Sequence, residues 1–344
     1  MDNRVGGFRI RRVGFRSGTD VELRALHAVE APVAAERGSH RMPQPVDSYL
    51  AFARSLPSQF EDHAWLAETA DGTPVGSGFC WSNAAGDGRV MECDLFVRPD
   101  HRREGVGSEV FSSICDLAAD ERRSLLTWST FDAVPAGDAF SRRLGGRIAR
   151  VNRTSELRLA DVDWQKIEGW IQAAPGGYRL EVIDGAFPEH LRSDAATFHR
   201  IMQTAPRDNL DVGDVVLDAD HIAELDRALL EAGRMRWTAL VRDSSGACVG
   251  GTEVSFEPLD PTVVLQQNTG IDPGHRGLGL AKWAKAAMLD RIRHERPEAQ
   301  AIRTDNAYSN AAMLAINDVL GFEVVSTRTE WQVNVSDVHR SARR

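Results

Sequence analysis

Residues 271–281 read IDPGHRGLGLA, and residues 97–107 read VRPDHRREGVG. The step from 97 to 271 (174 residues) carries Pro99 onto Pro273, His101 onto His275, Arg102 onto Arg276 and Gly105 onto Gly279. A glycine-rich loop opening a helix converges backbone N–H groups at the positive end of the helix dipole, a cradle for a phosphate-bearing group. One such loop is a weak signal. Two in matching contexts imply one fold repeated.

The repeat extends outward from the loop. Residues 65–68 read as a strand, Asp71-Gly72 as a hairpin turn and residues 75–81 as the returning strand; residues 237–241, 243–246 and 249–254 repeat the order. Apolar strands at 89–97 and 263–271 run into the two loops. Helical periods follow, with Val106, Val110, Phe111, Ile114, Leu117 and Ala118 on one face, and Leu280, Trp283, Ala284, Ala287 and Met288 on the other copy's. Strands at 125–130 and 301–306, short helices, and the turns Leu144-Gly145-Gly146 and Leu320-Gly321-Phe322 complete each half. Strands Phe8–Val13 and 178–183 open them. The fold class is α+β with mixed sheets. Residues 1–160 form a first domain, 161–177 a linker through Pro175-Gly176-Gly177, 178–336 a second domain and 337–344 a frayed tail.

At 344 residues each half is long enough to bury a core. A net charge of −9 argues against nucleic acid as a partner, because a phosphate backbone is gripped by a basic face. Lysine occurs only at Lys166, Lys282 and Lys285, leaving 38 of the 41 basic residues as arginine. Cys80, Cys93, Cys115 and Cys248 show no pairing or CxxC pattern, and no apolar run spans a bilayer, so the expectation is a cytoplasmic protein without a membrane partner. His101 and His275 have no second ligand at metal spacing; they read as loop packing, and no metal is expected.

Three anion-binding loops compete. No Gly-Lys-Ser/Thr follows, which excludes the P-loop. A dinucleotide fingerprint belongs after the first strand of a βαβ unit, whereas these loops follow roughly the fourth strand. A coenzyme A loop remains. The arginines either bond the phosphates or position the loop.

On these residues the chain resembles the GNAT acetyltransferase superfamily. Arg102-Gly105-Gly107 and Arg276-Gly279-Ala281 match its Arg/Gln-x-x-Gly-x-Gly/Ala motif, and Leu144-Gly145 and Leu320-Gly321-Phe322 match its closing Leu-Gly-Phe. The likeness covers residues 8–158 and 178–334, a tandem layout similar to that of mycothiol synthases. It implies mostly antiparallel sheets whose central parallel strands splay apart, with acetyl-CoA as cosubstrate in the splay. The arm would pair with the edges at 94–97 and 269–271, and a main-chain N–H there would stabilise the oxyanion. The implied coenzyme contacts are Ile271, Arg276, Gly277, Leu278, Gly279, Leu280 and Ala281 in the second half. Their counterparts are Val97, Arg102, Arg103, Glu104, Gly105, Val106 and Gly107. Asn306 and Asn310 would reach the coenzyme arm, or cap the following helix.

An acceptor amine must lose a proton before attack. Glu253 is the first choice of base, with Gln266 and Asn268 on one face of the next strand; the constant offset puts Glu92 and Asp94 at those two positions in the first half. Many relatives place a general-acid Tyr four residues before the glycine of Leu-Gly-Phe. That position is Asn317 here and Ser141 in the first half, a departure that leaves the acid open. Residues 198–214 (FHRIMQTAPRDNLDVGD) show no apolar period; Arg207, Asp208 and Asp211 are candidate acceptor contacts. The resulting expectation is an N-acetyltransferase acting on a small-molecule amine, monomeric or homodimeric, with the second half catalytic and the first a second or degenerate coenzyme site. The rival is a non-catalytic acyl-CoA-binding sensor.

Overall fold

The computed structural model describes residues 3–5, 7–38, 45–257 and 260–342. Its chain falls into two compact units. The first comprises Met1–Val151, Asn209–Asp214 and Arg328–Arg344; the second comprises Asn152–Asp208 and Val215–Thr327.

In the first unit β1 (Asn3–Val5), β2 (Phe8–Val13), β3 (Phe60–Glu68), β4 (Pro74–Asn83) and β5 (Val90–Val97) pair antiparallel in sequence. β5 then pairs parallel with β6 (Leu125–Phe131). Helices α1 (Asp20–Glu36) and α2 (Val46–Ser55) cover one face, and α3 (Val106–Asp120) covers the other; α4 (Pro135–Arg143) follows β6. Thr19 and Glu22 form a reciprocal capping box that starts α1. The predicted stripe of α3 is buried: Val106, Val110, Phe111, Ile114 and Ala118 pack on Met91, Cys93 and Leu126. Each large side chain buried there contributes about 1.5–3 kcal/mol.

The second unit repeats the plan. β8 (Arg179–Asp184), β9 (Met235–Arg242), β10 (Cys248–Glu257) and β11 (Asp260–Ile271) pair antiparallel, and β11 pairs parallel with β12 (Ala301–Ala307). α6 (Arg192–Met202) and α7 (Ala219–Glu231) lie on one face. α8 (Leu280–Glu295) lies on the other, with α9 (Ala311–Leu320) after β12.

The last strand of each half is exchanged. β7 (Arg147–Arg158) pairs with β12 through Asn152–Arg158, inside the second unit. β13 (Glu323–Asn334) pairs with β6 through Arg328–Asn334, inside the first. The compact units therefore do not follow a division of the chain at 160 and 177. The expected linker carries α5 (Trp164–Gln172), where Ile167 is buried and Trp164, Trp170 and Ile171 pack on the second unit's core. The tail expected to fray from 337 is helical as α10 (Val335–Ala342), because Val335 and Val338, one turn apart, seat in the first unit's core.

Candidate functional site

Both cradles have the backbone their glycines were expected to supply. Gly277 and Gly279 take φ of +80° and +81° before α8; Arg103 and Gly105 take +71° and +94° before α3. Neither Gly279 nor Gly105 is joined by a side-chain cap, so the first-turn N–H groups of both helices lack one. A Cβ built on Gly105, Gly277 or Gly279 would meet nothing within 4 Å. That open space above uncapped amides fits a diphosphate. Leu280 and Val106 face inward and are buried, Leu278 is exposed, and Gly107 packs against Val97, Leu95 and Phe140. The loop arginines position the loop: Arg276 Nε donates to Ile271 O at 2.9 Å, and Arg102 Nε to Val97 O at 3.3 Å. Their outer ends bond Thr204 and Glu36. His275 Nδ1 lies 2.8 Å from Tyr178 Oη, and His101 Nδ1 lies 3.2 Å from Glu104 Oε2.

The strand before each cradle leaves its neighbour midway. β11 and β12 pair from Val263↔Ala301 to Gln266↔Thr304 and then part; β5 and β6 pair from Val90↔Leu125 to Glu92↔Thr127 and then part. Residues 267–271 and 93–97 thereby present edges free of β12 and β6.

The units differ at the splay. β4 and β5 run in continuous register from Gly76↔Val97 to Trp81↔Glu92. In the second unit Thr252↔Thr269 is followed by Val254↔Gln266, so Glu253 alone opposes Gln267 and Asn268. This β-bulge leaves one residue of β11 outside the ladder. Gln266 braces it: Nε2 donates to Glu253 O at 2.7 Å, to Thr252 Oγ1 at 3.1 Å and to Thr269 Oγ1 at 3.3 Å. The bulge corrects the constant-offset reading. Upstream of it Gln266 corresponds to Cys93 and Leu265 to Glu92; downstream, Asn268 still corresponds to Asp94. A one-residue insertion exchanges the faces of a strand, so Glu92 and Gln266 are not equivalent.

On the α6–α7 face of the second unit, Glu253 accepts from Thr238 Oγ1 at 3.1 Å and lies 3.5 Å from Arg236 Nε. Arg236 also binds Asp226, which accepts from Phe187 N at 2.7 Å. All four side chains are buried. Burial pushes the Glu253 carboxyl above its ordinary range, against the pull of Arg236 and Thr238. Two carboxylates thus share one guanidinium. His199 of α6 is held below its usual pKa by burial and by Arg236.

On the α8 side, Asn310 caps α9 by accepting from Met313 N at 3.4 Å. Asn306 and Asn317 are brought together: Asn317 Nδ2 donates to Asn306 Oδ1 at 2.7 Å. Lys285 Nζ donates to Asn317 Oδ1 at 3.0 Å. Lys285 escaped the sequence reading because a lysine on an amphipathic helix is ordinarily solvated. Its rarity in an arginine-rich chain was the available signal.

The first unit is built differently on its α1–α2 face. Glu92 keeps exposed surface yet stands in a well of protein, where burial and the charges of Asp94 and Glu330 push it up to about 7. Burial raises Asp94, and raises Glu30 to about 8 although Tyr49 Oη donates to it at 2.7 Å. Phe79 stacks on Trp81 and packs tilted against Phe15, and Phe79 stands where the second unit has Glu253.

The three expected acceptor contacts separate. Arg207 donates to Gln203 O and Oε1 at 3.2 Å, and Asp208 takes φ of +52°. Asp211 belongs to the first unit, where its N–H donates to Gln332 Oε1 at 3.0 Å and its carboxylate lies 3.4 Å from Arg89. Residues 192–202, partly read as irregular, are helix α6, with Phe198 and Ile201 buried.

Among the described residues no helix is long and apolar enough to cross a membrane, and no group of three or more His, Cys, Asp or Glu is placed to hold a metal ion. Residues 30–145 match the model of the acetyltransferase (GNAT) family. No curated protein matches the chain. Among solved structures, a tandem GNAT protein from the clavulanic acid biosynthesis pathway is similar at TM-score 0.78 and 22% identity, over 95% of this chain and 98% of that one. A GCN5-related N-acetyltransferase from Sphaerobacter thermophilus is similar at TM-score 0.64 and 13% identity, over 95% and 96%. A putative acetyltransferase from Pyrococcus horikoshii is similar at TM-score 0.56 and 14% identity, over 96% and 91%. At such identities the structural likeness carries the fold alone, and the family match covers residues 30–145. Residues 30–145 thus match the GNAT acetyltransferase family, and the whole chain has the fold of a tandem GNAT protein.

Proposed function

We propose that the protein transfers an acetyl group from acetyl-CoA directly to the amine of a small molecule, and that the second unit carries the reaction. The observation behind this reading is the bulge at Gln267–Asn268. It lies where β11 parts from β12, upstream of an uncapped cradle, and the corresponding β4–β5 pairing of the first unit runs without one. Bound acetyl-CoA supplies the activated thioester. The amides of Gly279, Leu280 and Ala281 hold its diphosphate, and the edge at 267–271 orders its arm. A backbone N–H freed at the bulge polarises the thioester carbonyl. Glu253, opposite the bulge, takes the amine proton, directly or through water. The C–N bond forms as the C–S bond breaks, and a thiol of pKa about 8.5 leaves readily as thiolate. Gln266 braces the bulge, and Asn306 and Asn317 line the arm. The first unit, with Glu104 in its cradle and no bulge between β4 and β5, is a second or degenerate coenzyme site.

The test is thiol release from acetyl-CoA across a panel of amines. Gly279→Trp should fill the second cradle and abolish turnover, while Gly105→Trp should retain most of it. Equal losses, or the larger loss at Gly105, would reverse the assignment of units. Coenzyme binding without turnover on any amine would favour a sensor.

A further inference from the structure

An ammonium group has three donors and no acceptor. In the second unit this fixes the orientation of two amides in succession. Lys285 Nζ donates to Asn317 Oδ1, so Asn317 must turn its Nδ2 to Asn306, whose Oδ1 accepts it. Asn306 is left with Nδ2, a pure donor, at the free end. It is half-buried on β12, two residues beyond Thr304, where pairing with β11 stops. Among the described residues no acceptor meets that Nδ2.

The arrangement opposes folding. Lys285 is 2% exposed, and burial alone pulls its pKa down to about 7. No carboxylate or cation on α5, β9, β10, β11, β12 or α9 acts on it; its other neighbour is the Phe322 ring, 5.5 Å from Nζ. A desolvated ammonium without a counter-charge is costly, and an apolar residue of similar length would suit the site better. The first unit has that solution. Its counterpart of Lys285 is Phe111, buried against Trp128 and Phe140, and its counterpart of Asn317 is Ser141, which accepts from Trp128 and donates to Gly137 O.

We propose that Lys285 is a positioning residue: it polarises the relay Lys285–Asn317–Asn306 so that the Asn306 amide offers its N–H groups to an amide carbonyl of the coenzyme arm. This rests on the reading that the second splay takes acetyl-CoA. Deprotonated, Lys285 can accept as well as donate, and the direction of the relay is no longer enforced. Arm binding therefore holds a proton on Lys285.

The experiment is calorimetric titration with coenzyme A in a Gly105→Trp background, which leaves only the second cradle open. With Lys285 present, binding near pH 7–8 should take up more protons than with Lys285→Met, read from buffers of differing ionisation enthalpy. Affinity should also fall as pH rises through about 7, the value to which burial lowers this lysine. Lys285→Met should lose that difference and bind about two- to tenfold more weakly, the scale of one hydrogen bond, while melting at the same or a higher temperature. Unchanged affinity and proton uptake in Lys285→Met would overturn the proposal. Should that variant fail to fold, Asn317→Ala must weaken binding and abolish the extra proton uptake, or the proposal falls. If the Lys285 protein itself fails to bind coenzyme A, the acetyl-CoA reading fails first and takes this one with it.

Discussion

Glu253 meets opposite demands from its surroundings: burial favours the neutral acid, while Thr238 and Arg236 favour the carboxylate, and burial dominates. A base must be deprotonated to act, so a raised pKa moves the acidic limb of the rate profile above the ordinary Glu value of about 4.3. Glu253→Gln should lower kcat by about 10²–10⁴-fold and remove that limb. A mutant profile that keeps the limb would clear Glu253 of the role. The cradle residues were legible because their chemistry is local: a glycine with positive φ at a helix start carries its meaning in a few neighbouring letters. Lys285 was not, since its buried partner Asn317 lies on α9, which does not adjoin it in sequence.

At the scale of elements, the strands before and after each loop fell where alternation and turns put them, down to β2 at Phe8–Val13. The bulge did not. A constant offset treats a repeat as rigid, and one inserted residue in β11 is invisible until the cross-strand partners are known. Its functional weight can be tested by deleting Gln267, which should restore the continuous register seen between β4 and β5. Loss of a carbonyl-polarising N–H is worth about 10²–10³-fold in kcat, and coenzyme affinity should change much less. Full kcat in the deletion variant would remove the bulge from the mechanism. The helix α5 was missed for another reason: its nine residues precede Pro175-Gly176-Gly177, and the turn signal masked an amphipathic face whose partner, α8, lies far along the chain.

For the whole molecule, tandem repetition was written in the loops, but the strand exchange was not. Each half ends in a strand, and nothing in β7 or β13 states which sheet it will join. A fragment of residues 1–160 would lack Arg328–Asn334 and leave the edge of β6 bare, an invitation to aggregation. Expressed alone it should be insoluble, and co-expression of residues 323–342 should recover soluble material. A soluble, sharply melting 1–160 fragment would refute this.

Synthesis on the ribosome inherits that arrangement. The polypeptide that builds most of the first unit emerges early, yet its sheet stays one strand short until residues 328–334 are translated. A premature stop just before codon 328 would therefore injure the portion made first, and spare the portion made last.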